Sequence, residues 1–199
     1  PGSTRKESSA ASDVYKRQAE GSKFMTTSMI ISRGRTVFVG DIAVTERPDA
    51  EEMADIAVAL AAKARQLGHT PRDALLSFTN FGNPESRTSV EARRTVEILQ
   101  SRDVGFEFDG EMTGDIALDY DLMKSRYPFC NLTGPANILV MPWLHSSNIS
   151  FKVGHQLVNV SVIGPIMIGG AHPFQIVQMG ASVSDIVQTA VLAAHDAIH

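Results

Sequence analysis

A polar loop at residues 77–83 has the residue types that could bind an anionic ligand. It follows an apolar run, and its candidate ligand-binding residues are Ser77, Thr79, Asn80, Gly82 and Asn83. Backbone N–H groups and hydroxyls in such a loop can hold a phosphate or a carboxylate without a formal positive charge. A turn whose polar side chains bond to their own backbone has the same composition. Both interpretations stay open at the level of the sequence.

Two further polar loops, at residues 142–148 and 178–185, add more candidates. In the first, Asn148 is a binding candidate, and the imidazole of His145 could act as a general base because it titrates near neutral pH. A single loop histidine more often has no catalytic part, so we assign none to it. In the second, Asp185 would stand in the first turn of a following helix, where the helix dipole stabilises a carboxylate. Capping alone explains Asp185, and ligand binding is the second interpretation.

Metal ligation is the third kind of chemistry that the sequence raises. Asp109, Glu111 and Asp115 could hold a cation together, but they lack a second set of ligands. His195 and His199 are four residues apart and could grip zinc from one helix face, but a third ligand is missing. The chain has no glycine-rich dinucleotide motif, P-loop, cysteine pair or nucleophile elbow. We therefore predict no metal site and no catalytic residue in this chain.

Apolar periodicity predicts the elements that position these loops. From residue 35 onward, short apolar and β-branched runs alternate with stretches of helical spacing. The runs predict strands at 36–41, 73–77, 106–109, 137–141 and 162–168, and the stretches predict helices at 50–67, 89–101, 117–124, 148–157 and 182–198. Such alternation indicates an α/β fold with a mainly parallel sheet flanked by helices. Ligands then collect beyond the carboxyl ends of the strands, where we expect the three loops.

Composition narrows the environment and the partners. The chain has 199 residues and a net charge of −4, so it lacks the basic surface of a nucleic-acid-binding protein. It has no apolar run of about 18 residues, which predicts no membrane partner. The single cysteine, Cys130, excludes an intrachain disulfide and indicates a cytoplasmic protein. Residues 1–24 are polar and aperiodic, which predicts a disordered or artefactual tail before one domain at 25–199.

Six segments in and around these loops form a recognisable set: ALLSFT at 74–79, DGEM at 109–112 with Asp115, GPANILV at 134–140, SNISFK at 147–152, IGPI at 163–166 and SDIV at 184–187. With these segments the sequence resembles the C-terminal part of the phosphate acetyl/butyryltransferase family, most closely the version appended to bacterial NADP-dependent malic enzymes. The resemblance implies a phosphotransacetylase architecture similar to that of isocitrate dehydrogenase, with the acyl-transfer site in a cleft between two domains. It also implies that this chain covers about the last half of that architecture.

The chain departs from the pattern of active family members at two places. A serine and an arginine stand in active members where this chain has Gln178 and Met179, and a lysine of the first loop is replaced by Phe81. Asp185 matches the aspartate proposed as the base toward the CoA thiol. The guanidinium of an arginine can bind phosphate through two parallel hydrogen bonds, and it can stabilise the negative charge that develops during acyl transfer. The resemblance with these two cationic losses implies a site that binds or senses acyl-CoA without transferring the acyl group.

The resemblance therefore predicts a regulatory and oligomerisation domain of an NADP-dependent malic enzyme. We expect acetyl-CoA, or a related acyl-CoA, as its effector and a homo-oligomer as its assembly. Malate decarboxylation, with NADP and Mg or Mn, would belong to a separate N-terminal part. Two alternatives stay open: an active phosphate acetyl/butyryltransferase, which converts acyl-CoA and phosphate to acyl phosphate and CoA, and a ligand-free oligomerisation module.

Overall fold

Strands and helices alternate along the chain in a computed structural model that describes residues 23–157 and 160–198. The strands are β1 (Met25–Ser32), β2 (Arg35–Gly40), β3 (Arg72–Leu76), β4 (Glu107–Met112), β5 (Ile138–Val140) and β6 (Ser161–Ile168). The helices are α1 (Ala50–Gln66), α2 (Arg87–Ser101), α3 (Gly114–Leu118), α4 (Tyr120–Arg126), α5 (Leu144–Leu157) and α6 (Val183–Asp196).

The described strands form one mixed sheet in the order β4-β3-β5-β2-β1-β6. The pairs β3–β4, β3–β5 and β2–β5 are parallel, whereas β1 runs antiparallel to both β2 and β6. The mainly parallel sheet predicted from the sequence is thereby confirmed. Because β3 and β5 are parallel neighbours, with Leu75 opposite Val140, their carboxyl ends lie side by side. This places the loops after Leu76 and after Val140 next to each other.

Strand β1 was not predicted, because its buried residues include hydroxyl side chains. Thr26, Thr27 and Ser28 are all buried in it. The hydroxyl of Thr26 donates to a carboxylate oxygen of Asp41 at 2.6 Å, and that of Thr27 donates to the carbonyl of Val39 at 3.0 Å. Partners from β2 and its end thus satisfy the hydroxyls of Thr26 and Thr27, which makes their burial tolerable without apolar periodicity. A pattern of apolar residues cannot reveal such a strand.

The predicted tail at 1–24 lies mostly outside the described residues, which begin at Lys23. Lys23 contacts the carboxylate of Glu52, with 3.2 Å between Nζ and Oε1. Phe24 is buried, and its ring meets that of Phe174 edge to face with 5.6 Å between centroids. These two residues therefore pack on the folded domain.

Helices cover both faces of the sheet, and each face has its own core. Neighbouring strand residues point to opposite faces, so that Phe38, Leu75 and Ile138 pack with α1 and α2, whereas Val39, Leu76 and Leu139 pack with α3 and α4. Both α1 and α2 begin with a capping box, at Asp49 and Ser86. The helix predicted at 117–124 is instead two short helices, because Asp119 ends α3 and its side chain caps α4.

The last helix, α6, lies mainly on the surface. Val187 and Val191 are exposed, whereas Leu192 is buried. The helix begins after Ser182, whose side chain caps it by accepting from the amide of Asp185. None of the described helices has the length and apolar character needed to span a membrane.

Candidate functional site

A cleft of about 460 Å³ opens at the carboxyl ends of β3 and β5. The first and second loops meet in it, because Ser77 and Phe78 line one side and Pro142, Trp143 and Ser146 line the other. Phe78 and Trp143 are exposed aromatic side chains, and the lining is otherwise apolar apart from hydroxyl groups. Such a surface suits an uncharged part of a ligand, with hydroxyls available for hydrogen bonds.

The backbone N–H groups of the first loop are already used within the protein. The amide of Gly82 donates to the carboxylate of Glu111 at 2.6 Å, and that of Phe81 donates to the Glu111 carbonyl at 2.9 Å. Asn80 and Asn83 bond to each other through their backbones, at 3.2 and 3.5 Å. These four amides therefore do not point at an anion site. The geometry favours the turn interpretation for the far end of the loop and leaves Ser77 facing the cleft.

The charges around this loop also disfavour a phosphate there. Glu111 is 0% exposed, and its second oxygen lies 3.9 Å from Nε of Arg93 without a hydrogen-bond partner among the described residues. The same guanidinium donates to Glu85 at 3.2 Å. One cation thus faces two carboxylates, which leaves a net negative charge beside the loop. The side-chain oxygen of Asn80 accepts from the Thr113 amide at 2.9 Å, so it too has an internal partner.

Glu111 is a site residue whose role the sequence reasoning missed. It was considered only as a metal ligand with Asp109 and Asp115, but its Oε1 holds the loop through Gly82 and, at 3.3 Å, through the hydroxyl of Thr79. The strand was predicted to end at 109, whereas β4 extends to Met112, so no sequence pattern indicated that this glutamate is buried.

The other carboxylates of that cluster have separate partners. Asp109 accepts from the amides of Gly110 and Asn131 at 2.8 and 2.7 Å. A hydrogen bond from the Thr113 hydroxyl lowers the pKa of Asp115. Among the described residues, no three His, Cys, Asp or Glu side chains are grouped to hold a metal ion. The zinc pair considered from the sequence is only half described, because His199 lies outside the described residues.

The second loop is shorter than predicted, because α5 begins at Leu144 rather than 148. His145 is therefore an exposed residue of the first helical turn, not a loop residue. Asn148 also lies on the helix, where its side chain is 3.5 Å from the carbonyl of Ile42. Ser147 is buried and donates to the carbonyl of Asp41 at 2.7 Å. The start of α5 is thus fixed to the end of β2.

The third loop lines a separate groove of about 490 Å³. Gln178, Met179 and Asp185 lie on one side of it, and Phe151 and Lys152 of α5 lie on the other. Met179 is fully exposed. Lys152, which the sequence reasoning did not single out, is the single cation among the described residues that line this groove. Its position inside SNISFK, one of the segments that carried the resemblance, was the available signal.

Asp185 forms the capping box of α6. One of its carboxylate oxygens accepts from both the amide and the hydroxyl of Ser182, each at 2.8 Å, and its own amide donates to the Ser182 hydroxyl at 3.2 Å. The predicted capping role is therefore confirmed.

Helix α5 runs between the two cavities. Ser146, in its first turn, lines the cleft, and Lys152 lines the groove. The sequence candidates therefore fall into two places: Ser77 borders the cleft, and Asp185 borders the groove. Asn148 lies between them on α5, while Thr79, Asn80, Gly82 and Asn83 bond mainly within the protein.

Comparisons with known proteins identify the relatives of this arrangement. The phosphate acetyl/butaryl transferase family matches residues 2–194. An NADP-dependent malic enzyme of Rhizobium meliloti is 44% identical over 198 residues, which are 98% of this chain and 26% of that protein. A phosphate acetyltransferase of Paracoccus denitrificans is 36% identical over 163 residues, which are 81% of this chain and 51% of that protein.

Solved structures agree with the sequence relatives. A crystal structure of a phosphotransacetylase from Streptococcus pyogenes superposes with a TM-score of 0.84 at 29% identity, over 91% of this chain and 56% of that one. The chain thus spans about a quarter of the malic enzyme of Rhizobium meliloti and about half of the phosphate acetyltransferase.

Proposed function

Because the chain belongs to the phosphate acetyl/butaryl transferase family, we propose that it is a regulatory domain of an NADP-dependent malic enzyme, binding acetyl-CoA and supporting a homo-oligomer. The malic enzymes among its relatives extend well beyond the matched region, since the chain covers 26% of the one from Rhizobium meliloti. Oxidative decarboxylation of malate, with NADP and Mg or Mn, would take place in that further part of the parent protein. The domain described above would sense the effector.

The composition of the groove at the third loop carries this proposal. An exposed methionine, Met179, stands beside Asp185, and Lys152 is the single cation among the described lining residues. A transfer site for acyl groups and phosphate needs cationic groups aimed at the developing negative charge. A single flexible lysine can bind a phosphate group through its charge, but it lacks the two parallel hydrogen bonds that an arginine guanidinium would donate. The groove therefore supports binding better than transfer.

The state of Asp185 supports the same conclusion. A general base toward a thiol must accept a proton, but this carboxylate already accepts two hydrogen bonds from Ser182. That oxygen is therefore engaged in the helix cap rather than directed at a ligand. Capping of α6 is thus its main role, and we assign it no catalytic part.

The two cavities suit the two ends of an acyl-CoA molecule. Phosphate groups would lie at Lys152, because the loop around Glu111 is locally negative. The acyl end would lie in the apolar cleft, where the hydroxyl of Ser146 can donate to a carbonyl oxygen, whereas the hydroxyl of Ser77 already donates to that of Thr79 at 3.1 Å. The cleft and the groove are then parts of one binding surface along α5.

Calorimetric titration with acetyl-CoA tests this proposal. Lys152→Met should weaken binding about tenfold, because a hydrogen bond to a charged group contributes about 1.5–3 kcal/mol and each 1.4 kcal/mol is tenfold. Lys23→Met is the matched control, since Lys23 lines neither cavity and is 59% exposed. In the parent protein, acetyl-CoA should change the rate of malate-dependent NADP reduction, and Lys152→Met should weaken this response. Equal affinity of wild type and Lys152→Met would contradict the proposed site.

Active acyl transfer is the second candidate, and the similarity to the phosphate acetyltransferase of Paracoccus denitrificans favours it. Release of CoA from acetyl-CoA and phosphate, measured with a thiol reagent, would support active acyl transfer.

A ligand-free oligomerisation module is the third candidate function. It is favoured by the exposed apolar side chains on α6, which are Val183, Ile186, Val187 and Val191. An assembly that persists while acetyl-CoA fails to raise the melting temperature would decide for that one.

A further inference from the structure

Helix α6 has little apolar attachment to the rest of the domain. In the part of the chain that the structure describes, Leu192 is the only buried residue of this helix. One buried leucine contributes about 1.5–3 kcal/mol of burial free energy, which is little for a helix of four turns. Another interaction must therefore fix the position of α6 and of the loop before it.

A buried ion pair provides that interaction. Nζ of Lys63 in α1 contacts the carboxylate of Asp196 at the end of α6. Their side chains are only 5% and 13% exposed. Lys63 also donates to the side-chain oxygen of Gln66 at 3.0 Å. Each charge of the pair is thus shielded from water. Removing the carboxylate leaves Lys63 buried without its counter-charge, and removing the amine leaves Asp196 with the imidazole of His195, 3.9 Å away, in place of a buried lysine.

The same carboxylate connects α6 to the sheet through Gln175. The side-chain amide of Gln175 donates to Asp196 at 3.2 Å, and its side-chain oxygen accepts from the amide of Met167 in β6 at 2.8 Å. Gln175 lies three residues before Gln178, where the third loop begins. The ion pair therefore holds both ends of the segment that contains the third loop and α6.

We propose that Lys63, Asp196 and Gln175 form a latch that positions the third loop against Lys152. They are positioning residues, since none of them belongs to the described lining of the groove at this loop. When the latch is intact, α1 fixes the C-terminal end of α6 and β6 fixes the segment at Gln175. When one charge is removed, α6 loses its attachment to α1, and the wall of the groove that α6 and the third loop form is no longer fixed from both sides. The effect on ligand binding rests on the proposed function; the effect on α6 does not.

Hydrogen exchange of backbone amides tests the latch directly in the full protein. Lys63→Met and Asp196→Asn should each speed exchange in α6 and at Ala181 by about tenfold or more. Lys63→Met leaves the carboxylate of Asp196 without its lysine, and Asp196→Asn leaves the buried amine of Lys63 without a negative charge. Ala181 is a suitable probe, since its amide donates to the carbonyl of Gln178 at 3.1 Å. Exchange at Leu75 in the central strand should stay unchanged, which excludes global unfolding as the cause.

Two further variants sharpen the test. Lys63→Met combined with Asp196→Leu should restore slow exchange in α6 substantially, because replacing both charges removes the unpaired group. Glu51→Gln is the control, since it breaks an exposed ion pair with Arg102 that should contribute little. The single variants should also weaken acetyl-CoA binding about tenfold, whereas Glu51→Gln should not.

The outcomes separate the latch from the proposed function. Wild-type exchange rates in both single variants would overturn the latch. Faster exchange in α6 with unchanged exchange at Ala181 would overturn its action on the third loop. A wild-type protein that binds no acetyl-CoA would contradict the proposed function, and the exchange of Ala181 would still decide whether the latch positions the loop.

Discussion

Asp73 is a carboxyl group in the middle of the fold, and its replacement should stabilise the protein. It lies in β3 opposite Ile138 and Phe108, is 0% exposed, and neither oxygen has a hydrogen-bond partner among the described residues. Burial raises the pKa of Asp73 well above its ordinary value, and the positive charge of Arg65 offsets this only in part. The folded chain therefore keeps a proton on Asp73 at pH values where the unfolded chain has released it.

The sign of the pH dependence follows from this proton. The unfolded carboxyl releases it near pH 4, and the folded one releases it only at a higher pH. Between these two values the folded state binds more protons, so the free energy of unfolding falls as pH rises, by up to about 1.4 kcal/mol per pH unit. Asp73→Val removes this term. It also removes an unpaired buried polar group, which should add about 1–3 kcal/mol of stability at any pH.

Urea unfolding of wild type, Asp73→Val and Asp73→Asn at pH 5, 6 and 7 measures both effects. The difference between Asp73→Val and wild type should grow with pH until the folded-state pKa is passed. Asp73→Asn keeps a buried polar group but cannot ionise, so its stability curve should run parallel to that of Asp73→Val. A constant difference between wild type and Asp73→Val at all three pH values would refute the raised pKa.

Three other substitutions or reactions test the packing around the site. Glu111→Ala should lower the free energy of unfolding by about 3–5 kcal/mol in urea titrations, because the donors of the first loop and the guanidinium of Arg93 lose their acceptor. Equal effects of Glu111→Ala and Glu111→Gln would contradict this reason. Gly110→Ala should lower the melting temperature, since its Cβ would lie 2.7 Å from the carbonyl oxygen of Leu75, whereas Gly114→Ala, with no atom within 4 Å of its Cβ, should not. Burial raises the pKa of Cys130 to about 11, so iodoacetamide should label it near pH 7 only after unfolding; rapid labelling of the folded chain would contradict its burial.

Much of the fold could be predicted because its central elements follow simple periodicities. The predicted helix at 50–67 and strand at 73–77 match α1 and β3 within one residue at each end. Strand β1 could not be found this way, because the partners of Thr26 and Thr27 come from β2 and its end. The break between α3 and α4 was also not predicted, because a single polar residue such as Asp119 is compatible with one continuous helix. Only the hydrogen bond from the amide of Leu122 to the Asp119 side chain shows that a new helix begins there.

The place of the candidate site could be predicted from the sequence, but the groups in it that are available to a ligand could not. The loops at 77–83 and 142–148 were predicted at the carboxyl ends of strands, and the order of β3 and β5 brings them together. Which groups remain available to a ligand depends on partners distant in sequence. Glu111 lies 29 residues from Gly82 and takes its amide, which no local pattern indicates. Residue types therefore indicate the place of a site, whereas hydrogen-bond partners decide what it can bind.

The distribution of charge around the cleft and the groove bears on how an acyl-CoA would lie. Glu85 and Glu111 against Arg93 make the first loop unfavourable for phosphate, whereas Lys152 makes the groove favourable. Ser146 in the cleft and Lys152 in the groove are six residues apart on the helix, which is roughly 9 Å along its axis at 1.5 Å per residue. A ligand with phosphates at one end and an acyl group at the other can span that distance. In the proposed arrangement the end that would hold phosphates is separate from the apolar end, so binding of acetyl-CoA would not require the cationic groups that acyl transfer needs.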